Sequence, residues 1–341
     1  MPTTGRPAGP PVRRPTSKDV AQAAGVSQST VSIVLAGKWA GRVSPDTAES
    51  VRETAARLGY RLNRAASNLR LGQARTVLLV VPTLSSPFFG DVYAGAARVA
   101  ADRGFSVVVY LWPDGAGVAD SPFAKVNEAI DGVLASSMAV DALAELSADA
   151  MPLIMLDSDP GDAVPTVNLD VAAGFRVAVA HLAGLGHRRF GHLAAAVDTW
   201  TFRTRRAAVT TAVGSLPGAV LLREHTAIDI RAAREAAGAL LRRPDRPTAL
   251  VCDDDLIAAG AYKAARDLGL GVPADLSVTG FDDILLAEAL EPELTTVRLP
   301  AQELGAQGMR ALLNLLDGGD PASVSLPGTF IARDSTGPAP S

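Results

Sequence analysis

The chain has 341 residues, 48% of them hydrophobic, with 36 acidic and 32 basic side chains and a formal charge of −4. That length exceeds one ordinary core and predicts two or three domains, and the apolar content excludes wholesale disorder. A single cysteine, Cys252, excludes an internal disulfide framework. No apolar run of about 18 residues occurs, and the first fifteen residues lack an export signal, so a cytoplasmic protein with no membrane span is expected.

The charge is unevenly spread. Residues 1–75 carry twelve basic and four acidic side chains, whereas the remainder carries twenty basic and thirty-two acidic ones. A basic head on an acidic body predicts a polyanionic partner for the head alone, with a merely solvated charged face as the alternative.

In chain order, residues 1–15 are rich in Pro and Gly and predict a disordered arm. Thr16-Ser17-Lys18-Asp19 is a capping-box pattern that opens a first helix, with Val20, Ala21 and Ala24 on its apolar face. Gly25 ends it by tolerating a left-handed turn. Ser27 caps a second helix to about Leu35, with Val31, Val34 and Leu35 inward. Ser44-Pro45-Asp46 opens a third: a cap, a proline at the first position, then an acid at the positive end of the dipole. Ala48, Val51, Ala55 and Leu58 recur at helical spacing before Gly59. Three short helices with a tight turn between the first two predict a helix-turn-helix unit over 16–62. A fourth, over about 63–71, is too short to persist alone in water.

From residue 75 the texture becomes strand and helix in alternation. Strands are expected at 76–81, 106–111, 132–135, 152–157, 164–169, 189–195, 249–252 and 277–281, and helices at 91–103, 173–186, 201–213, 229–242, 255–269 and 300–316. This order predicts parallel sheets with helices on both faces. Ligands in such sheets sit beyond the carboxyl ends of the strands.

The run KDVAQAAGVSQSTVSIVL (18–35), followed by VSPDT, GYRLN and RAASNLRLG, resembles the N-terminal pattern of the lactose/galactose-repressor (LacI/GalR) family. The likeness continues in family order through VPTLSSPFF (81–89), IDGV (130–133), PLIMLD (152–157), GHRR (186–189), SVTGFDD (277–283), LTTV (294–297) and RDST (333–336). It implies an all-α helix-turn-helix DNA-binding head at 16–62 and a hinge helix at 63–72. An α/β two-lobed periplasmic-binding-protein-like core follows at 73–337. Its N-lobe takes about 75–168 and 298–325, its C-lobe about 169–297 and 326–337, and a tail closes the chain at 338–341.

For the head, the resemblance places the second helix in the major groove. Gln28 and Ser29 then meet base edges, glutamine being suited to adenine, while Ser27, Thr30 and Ser32 hold phosphates. Arg42 and Lys38 also remain for phosphates, and Thr16 belongs to the same interface. Ile33 stands where many relatives carry a polar or basic reader; it contacts a thymine methyl or nothing. Asn63, Ala66 and Leu69 match hinge positions that enter the minor groove, where Leu69 would wedge between base pairs beside the small Ala66.

For the core, the resemblance carries Phe88, Phe89, Asp157, Arg205, Asp254 and Asp282 to an effector cleft. Carboxylates and an arginine around an aromatic wall suit a polyol such as a sugar. Three departures stand out: Asp254 replaces the family's Asn, Ala227 lies near the place of a stacking aromatic, and Val209 takes another aromatic's place. Asp253-Asp254-Asp255 reads as helix capping rather than an ion site, and Asp282 and Asp283 leave capping open as an alternative role.

Catalytic signals are lacking. No GxxxxGK[ST] loop occurs, residues 184–191 lack dinucleotide-loop spacing, and His181, His187, His192 and His225 lack metal partners at sensible spacing. His187 reads as part of a turn. The expectation is therefore a non-enzymatic DNA-binding transcriptional regulator, most simply a repressor, with no cofactor or metal. It would act as a homodimer on a near-palindromic double-stranded operator under control of a sugar or sugar derivative. A nucleoside or other non-sugar effector is the alternative, and a solute-binding protein a more distant one, opposed by the basic head.

Overall fold

The computed structural model describes residues 15–60, 74–111, 129–139, 151–161 and 164–340. The expected arm before residue 15 and the hinge, with Asn63, Ala66 and Leu69, lie outside the described residues. The chain divides into two compact units, one ending at Gln73 and the other beginning at Ala74.

The first unit holds helices α1 (Ser17–Ala24), α2 (Gln28–Leu35) and α3 (Pro45–Leu58). The capping box forms at Thr16, whose backbone N–H donates to the Asp19 carboxylate at 2.7 Å while the Asp19 N–H donates back to the Thr16 hydroxyl. Gly25 follows α1 at φ +67°, a conformation that costs a side chain and that glycine adopts freely. Val20, Ala21, Val31, Val34, Ala48, Val51 and Ala55 make the small core. Leu58 does not join it: Thr54 is buried on the inward face of α3, and Leu58, in the last turn, is 37% exposed. Trp39 packs beside this core and carries the Arg52 guanidinium 5.1 Å above its ring.

The second unit is built on two parallel sheets. The first comprises β1 (Thr76–Val81), β2 (Ser106–Leu111), β3 (Gly132–Ser136), β4 (Leu153–Leu156), β5 (Thr166–Asp170) and, late in the chain, β11 (Val324–Pro327). Their order is β11-β5-β4-β3-β1-β2. The second, ordered β7-β6-β8-β9, comprises β6 (Arg189–Ala195), β7 (Val220–Thr226), β8 (Ala249–Cys252) and β9 (Ser277–Thr279). A two-stranded antiparallel ribbon pairs β10 (Thr296–Arg298) with β12 (Thr329–Ile331). The helices are α4 (Pro87–Asp102), α5 (Val171–Gly184), α6 (Trp200–Gly214), α7 (Ile230–Leu241), α8 (Asp255–Asp267), α9 (Leu286–Ala289) and α10 (Ala301–Leu316). The chain passes between the sheets three times, through α5, through the segment holding β10, and through β12. Central strands such as β3 are buried throughout, as a sheet covered on both faces requires.

Several elements differ from expectation. Strand β7 was not anticipated, because Arg223 and Glu224 interrupt its apolar run; it is a half-buried edge strand, where charges are tolerated. Strands β10, β11 and β12 have three or four residues each, too few to show a period. Helix α4 starts at Pro87 rather than near residue 91, with proline in the first turn, where its missing N–H costs nothing. His187 closes the turn after α5, its N–H donating to the Leu182 carbonyl, and has a further role. It is fully buried, with Nδ1 2.8 Å from the Thr248 hydroxyl and Nε2 2.9 Å from that of Ser277 and 3.1 Å from the Gly337 carbonyl. Burial lowers its pKa, so it fastens the C-terminal segment as a neutral ring.

Helices α4 and α10 cross against the first sheet with backbones almost touching. A Cβ on Gly95 would collide with the Gln302 carbonyl, and one on Gly305 with that of Val92. Gly90, on the same helix as Gly95, faces open space. Gly95→Ala is therefore expected to destabilise the core by about 1–3 kcal/mol through overpacking, while Gly90→Ala leaves it unchanged or stabilises it by about 0.5–1 kcal/mol through helix propensity. Urea denaturation of the two variants checks the contrast, and equal effects would show that the helices can move apart.

Candidate functional site

Two features carry the residues singled out in the sequence. The first is the N-terminal end of α2. Ser27 caps it, its hydroxyl accepting from the Thr30 N–H at 3.1 Å and lying 2.6 Å and 2.9 Å from the Ser29 and Thr30 hydroxyls. Val31 and Val34 are buried, which turns Gln28, Ser29 and Ser32 outward, with Ile33 half-buried at their side. Thr16 and Arg42 are also exposed. The arrangement presents amides, hydroxyls and one amide side chain at the positive end of a helix dipole, a surface suited to phosphate and base edges.

The second is a cavity of about 410 Å³ between the carboxyl ends of the two sheets. Phe88, Phe89, Asp157, Arg205, Asp254 and Asp282 all line it, although they span nearly two hundred residues of sequence. Parallel strands bring them together, because each strand delivers the residue after its end to the same edge. Phe88 and Phe89 begin α4 after β1 and meet edge to face, with centroids 5.3 Å apart. Asp157 follows β4, Asp254 follows β8 and Asp282 follows β9. Asp157 and Asp282 adopt φ of +55° and +109°, conformations that cost a residue with a Cβ and persist where the surroundings hold them.

Arg205 stands at the centre. Only 5% exposed, it donates to the Asp253 carbonyl and lies 3.7 Å from the Asp282 carboxylate. Its guanidinium sits 4.6 Å from the Phe281 ring centroid and 5.0 Å from that of Phe202. Phe281 in turn stacks on Phe175 at 4.2 Å, so the cation rests on an aromatic shelf.

The three consecutive acids at 253–255 have three different surroundings. Asp253 accepts from His192 Nε2 at 2.8 Å and from the Ala195 N–H at 2.9 Å. Burial works against its ionisation, but His192 and Arg205 hold its pKa below the ordinary carboxylate value. Asp254 caps α8, accepting from the Leu256 N–H, and lines the cavity together with Asp282. Burial raises the pKa of both members of this pair, and Asp282 is pushed well up by the neighbouring Asp254 as well. Asp255 accepts from the Thr296 hydroxyl and the Ile284 N–H, and burial lifts it to about 8. Asp157 is likewise raised by burial, against the pull of Arg205.

Asp254 thus caps a helix and lines the cavity at once. Asp282 and Asp283 do not cap: Asp283 is paired with Arg298 and Arg333, both at 2.7 Å. His192 has the partners that sequence spacing concealed, Asp253 on one ring nitrogen and the Arg223 Nε at 3.1 Å on the other. Those partners come from neighbouring parallel strands, 61 and 31 residues away, and no local pattern marks them. Ser137, Thr201 and Phe202 also line the cavity without having been singled out; the available signal was their position just beyond strand ends. Ala227 is on the wall, whereas Val209 is in the core beneath it. Among the described residues no set of His, Cys, Asp or Glu is arranged to hold a metal ion, and no helix is long and apolar enough to cross a membrane.

Comparison with known proteins gives the same two parts. Residues 16–63 match the family model for bacterial regulatory proteins of the lacI family, and residues 179–336 that for a periplasmic binding protein-like domain. The HTH-type transcriptional repressor CytR of Escherichia coli (strain K12) is 32% identical over 313 residues, covering 89% of this chain and 90% of its own. The HTH-type transcriptional regulator DegA of Bacillus subtilis (strain 168) is 31% identical over 333 residues, 94% of this chain and 97% of its own. The lac repressor dimer bound to operator and the anti-inducer ONPF matches with a TM-score of 0.83 at 26% identity, over 95% of this chain and all of that one. The complex of the transcriptional regulator CelR with cellobiose matches with a TM-score of 0.70 at 27% identity, over 94% and 100%. These relatives are regulators of transcription and not enzymes. The chain belongs to the lacI family of bacterial regulatory proteins and is a transcriptional regulator.

Proposed function

We propose that this regulator acts in the cytoplasm as a homodimeric repressor of a near-palindromic operator, and that a sugar or sugar derivative in the interlobe cavity sets its operator affinity. One observation carries the effector part. Ser137 Oγ, Thr201 Oγ1, Arg205 Nε and Asp282 Oδ1 are buried without a hydrogen-bond partner among the described residues, and all four residues line one cavity. Buried polar atoms are ordinarily paired, so four orphans around one space call for a ligand rich in donors and acceptors. Ser137 follows a strand of the first sheet, while Arg205 and Asp282 belong to the second lobe, so such a ligand would tie the lobes together. Two related regulators are solved with sugars, cellobiose in one and ribose in the other, which supports the chemical class.

For the head, Gln28 and Ser29 read bases, Ile33 contacts a thymine methyl or nothing, and Thr16, Ser27, Thr30, Ser32 and Arg42 position the phosphates. Asn63, Ala66 and Leu69 are assigned to the minor groove on sequence resemblance alone. The division into head (16–62), hinge (63–72) and core (73–337) follows the same assignment. A ligand that fixes the angle between lobes would alter the spacing of two heads on a symmetric site, with a coupling of about 1–3 kcal/mol.

On an operator selected from a random duplex library, Gln28→Ala is expected to weaken binding by about 1–3 kcal/mol, with the salt dependence unchanged. Arg42→Ala is expected to lower the slope of log affinity against log salt by about one. Fluorescence anisotropy at several salt concentrations separates the two, and a chain with no salt-sensitive affinity for duplex DNA would end the assignment. Asp282→Ala is expected to abolish the shift in operator affinity caused by a sugar while leaving DNA binding within about twofold. Loss of both activities would instead make Asp282 a folding residue.

A further inference from the structure

We propose that the ligand of the interlobe cavity is a hydroxylated molecule bearing a basic nitrogen, whose ammonium group sits at the paired carboxyls of Asp254 and Asp282. The proposal rests on the reading of this cavity as the effector site and narrows the ligand within it.

The charge of the wall is lopsided. Among the described residues three carboxyl groups line the cavity, those of Asp157, Asp254 and Asp282, against one cationic side chain, Arg205. Arg205 is already engaged by the Asp253 carbonyl and the Phe202 and Phe281 rings, and it stands 3.7 Å from Asp282 without a hydrogen bond to the near oxygen. Asp253, next in sequence to Asp254, adds negative charge rather than offsetting it. A single guanidinium does not neutralise this set, and uncompensated buried charge is costly.

Asp254 and Asp282 present two carboxyl groups on one wall, and carboxylates accept hydrogen bonds without donating them. Asp282 Oδ1 still has no partner, and neither does Ser137 Oγ, on a residue 4% exposed that lines the cavity from the other lobe. An ammonium group brings a positive charge and three donors in one atom. A neutral polyol supplies donors but no charge, and an anionic ligand would meet three acids, whereas a hydroxyl of the same aminated ligand suits the unpaired Arg205 Nε. Phe88 and Phe89 offer an apolar wall for the ring face of the same ligand.

The test is calorimetric titration of the full-length chain with matched sets: glucosamine, glucose and N-acetylglucosamine, then the galactose and mannose equivalents. In at least one set the free amine is expected to bind about tenfold or more tightly than both neutral partners, a difference of about 1.4 kcal/mol. Asp254→Asn keeps the helix cap, since asparagine caps as well as aspartate, and is expected to remove that preference. Thermal unfolding of the variant verifies that its fold is intact. The proposal is overturned if no amine outranks its neutral partners, or if the preference survives Asp254→Asn. Neutral sugars that bind and shift operator affinity would keep the effector reading and sink only this one; no binding in any set would sink both.

Discussion

Arg205 is the group on which the rest of the core site depends. A guanidinium does not lose its proton, so burying one obliges the fold to surround it with acceptors and π faces. The fold does so from several directions at once. The Asp253 carbonyl comes from the end of β8, the Asp282 carboxylate from beyond β9, and Phe202, Phe281 and Phe175 form the shelf beneath. His192 and Arg223 form an outer layer: they hold the Asp253 side chain, and the backbone of Asp253 in turn holds Arg205. Each strand end is thereby registered against its neighbours by polar contacts as well as by the sheet.

The placement of the cavity follows from sheet topology. Both sheets are parallel and end toward the same space, so turns separated by tens of residues converge there. The three passages of the chain between the sheets are joined by one hydrophobic cluster that holds residues of both lobes, such as Leu134 and Phe190. The strained backbone at Asp157 and Asp282 sits at this edge and nowhere in the sheet interiors.

The head follows a different logic. Its three helices are short and its core is seven small or medium side chains, so caps do much of the specification. Thr16, Ser27 and Ser44 each accept from a backbone N–H of the first turn, and glycine ends α1 and α3 in the left-handed conformation. Such local rules bind residues three or four apart. They are therefore legible in sequence, and the expected helices of the head lie where the structure places them.

Sequence by itself determined the local and the repetitive: capped helices, buried strands such as β1 and β3, the basic head, and the family through residues spaced along the whole chain. The family resemblance also pointed to the six residues that meet at the cavity wall, of which Asp157, Asp254 and Asp282 follow strand ends while Arg205 lies within α6. Tertiary structure alone decided the partners. The hydrogen-bond partners of His187 and His192 could not be read from the sequence because they lie 31 to 150 residues away, across sheets whose order no periodicity encodes. Strand β7 was hidden by edge charges and Leu58 misassigned by a helical period that runs on past the buried face. That Asp254 faces Asp282, and does not merely cap a helix, follows from strand order. Hydrogen-bond and charge partners are set by distance in space, and only packing converts a sequence separation into that distance.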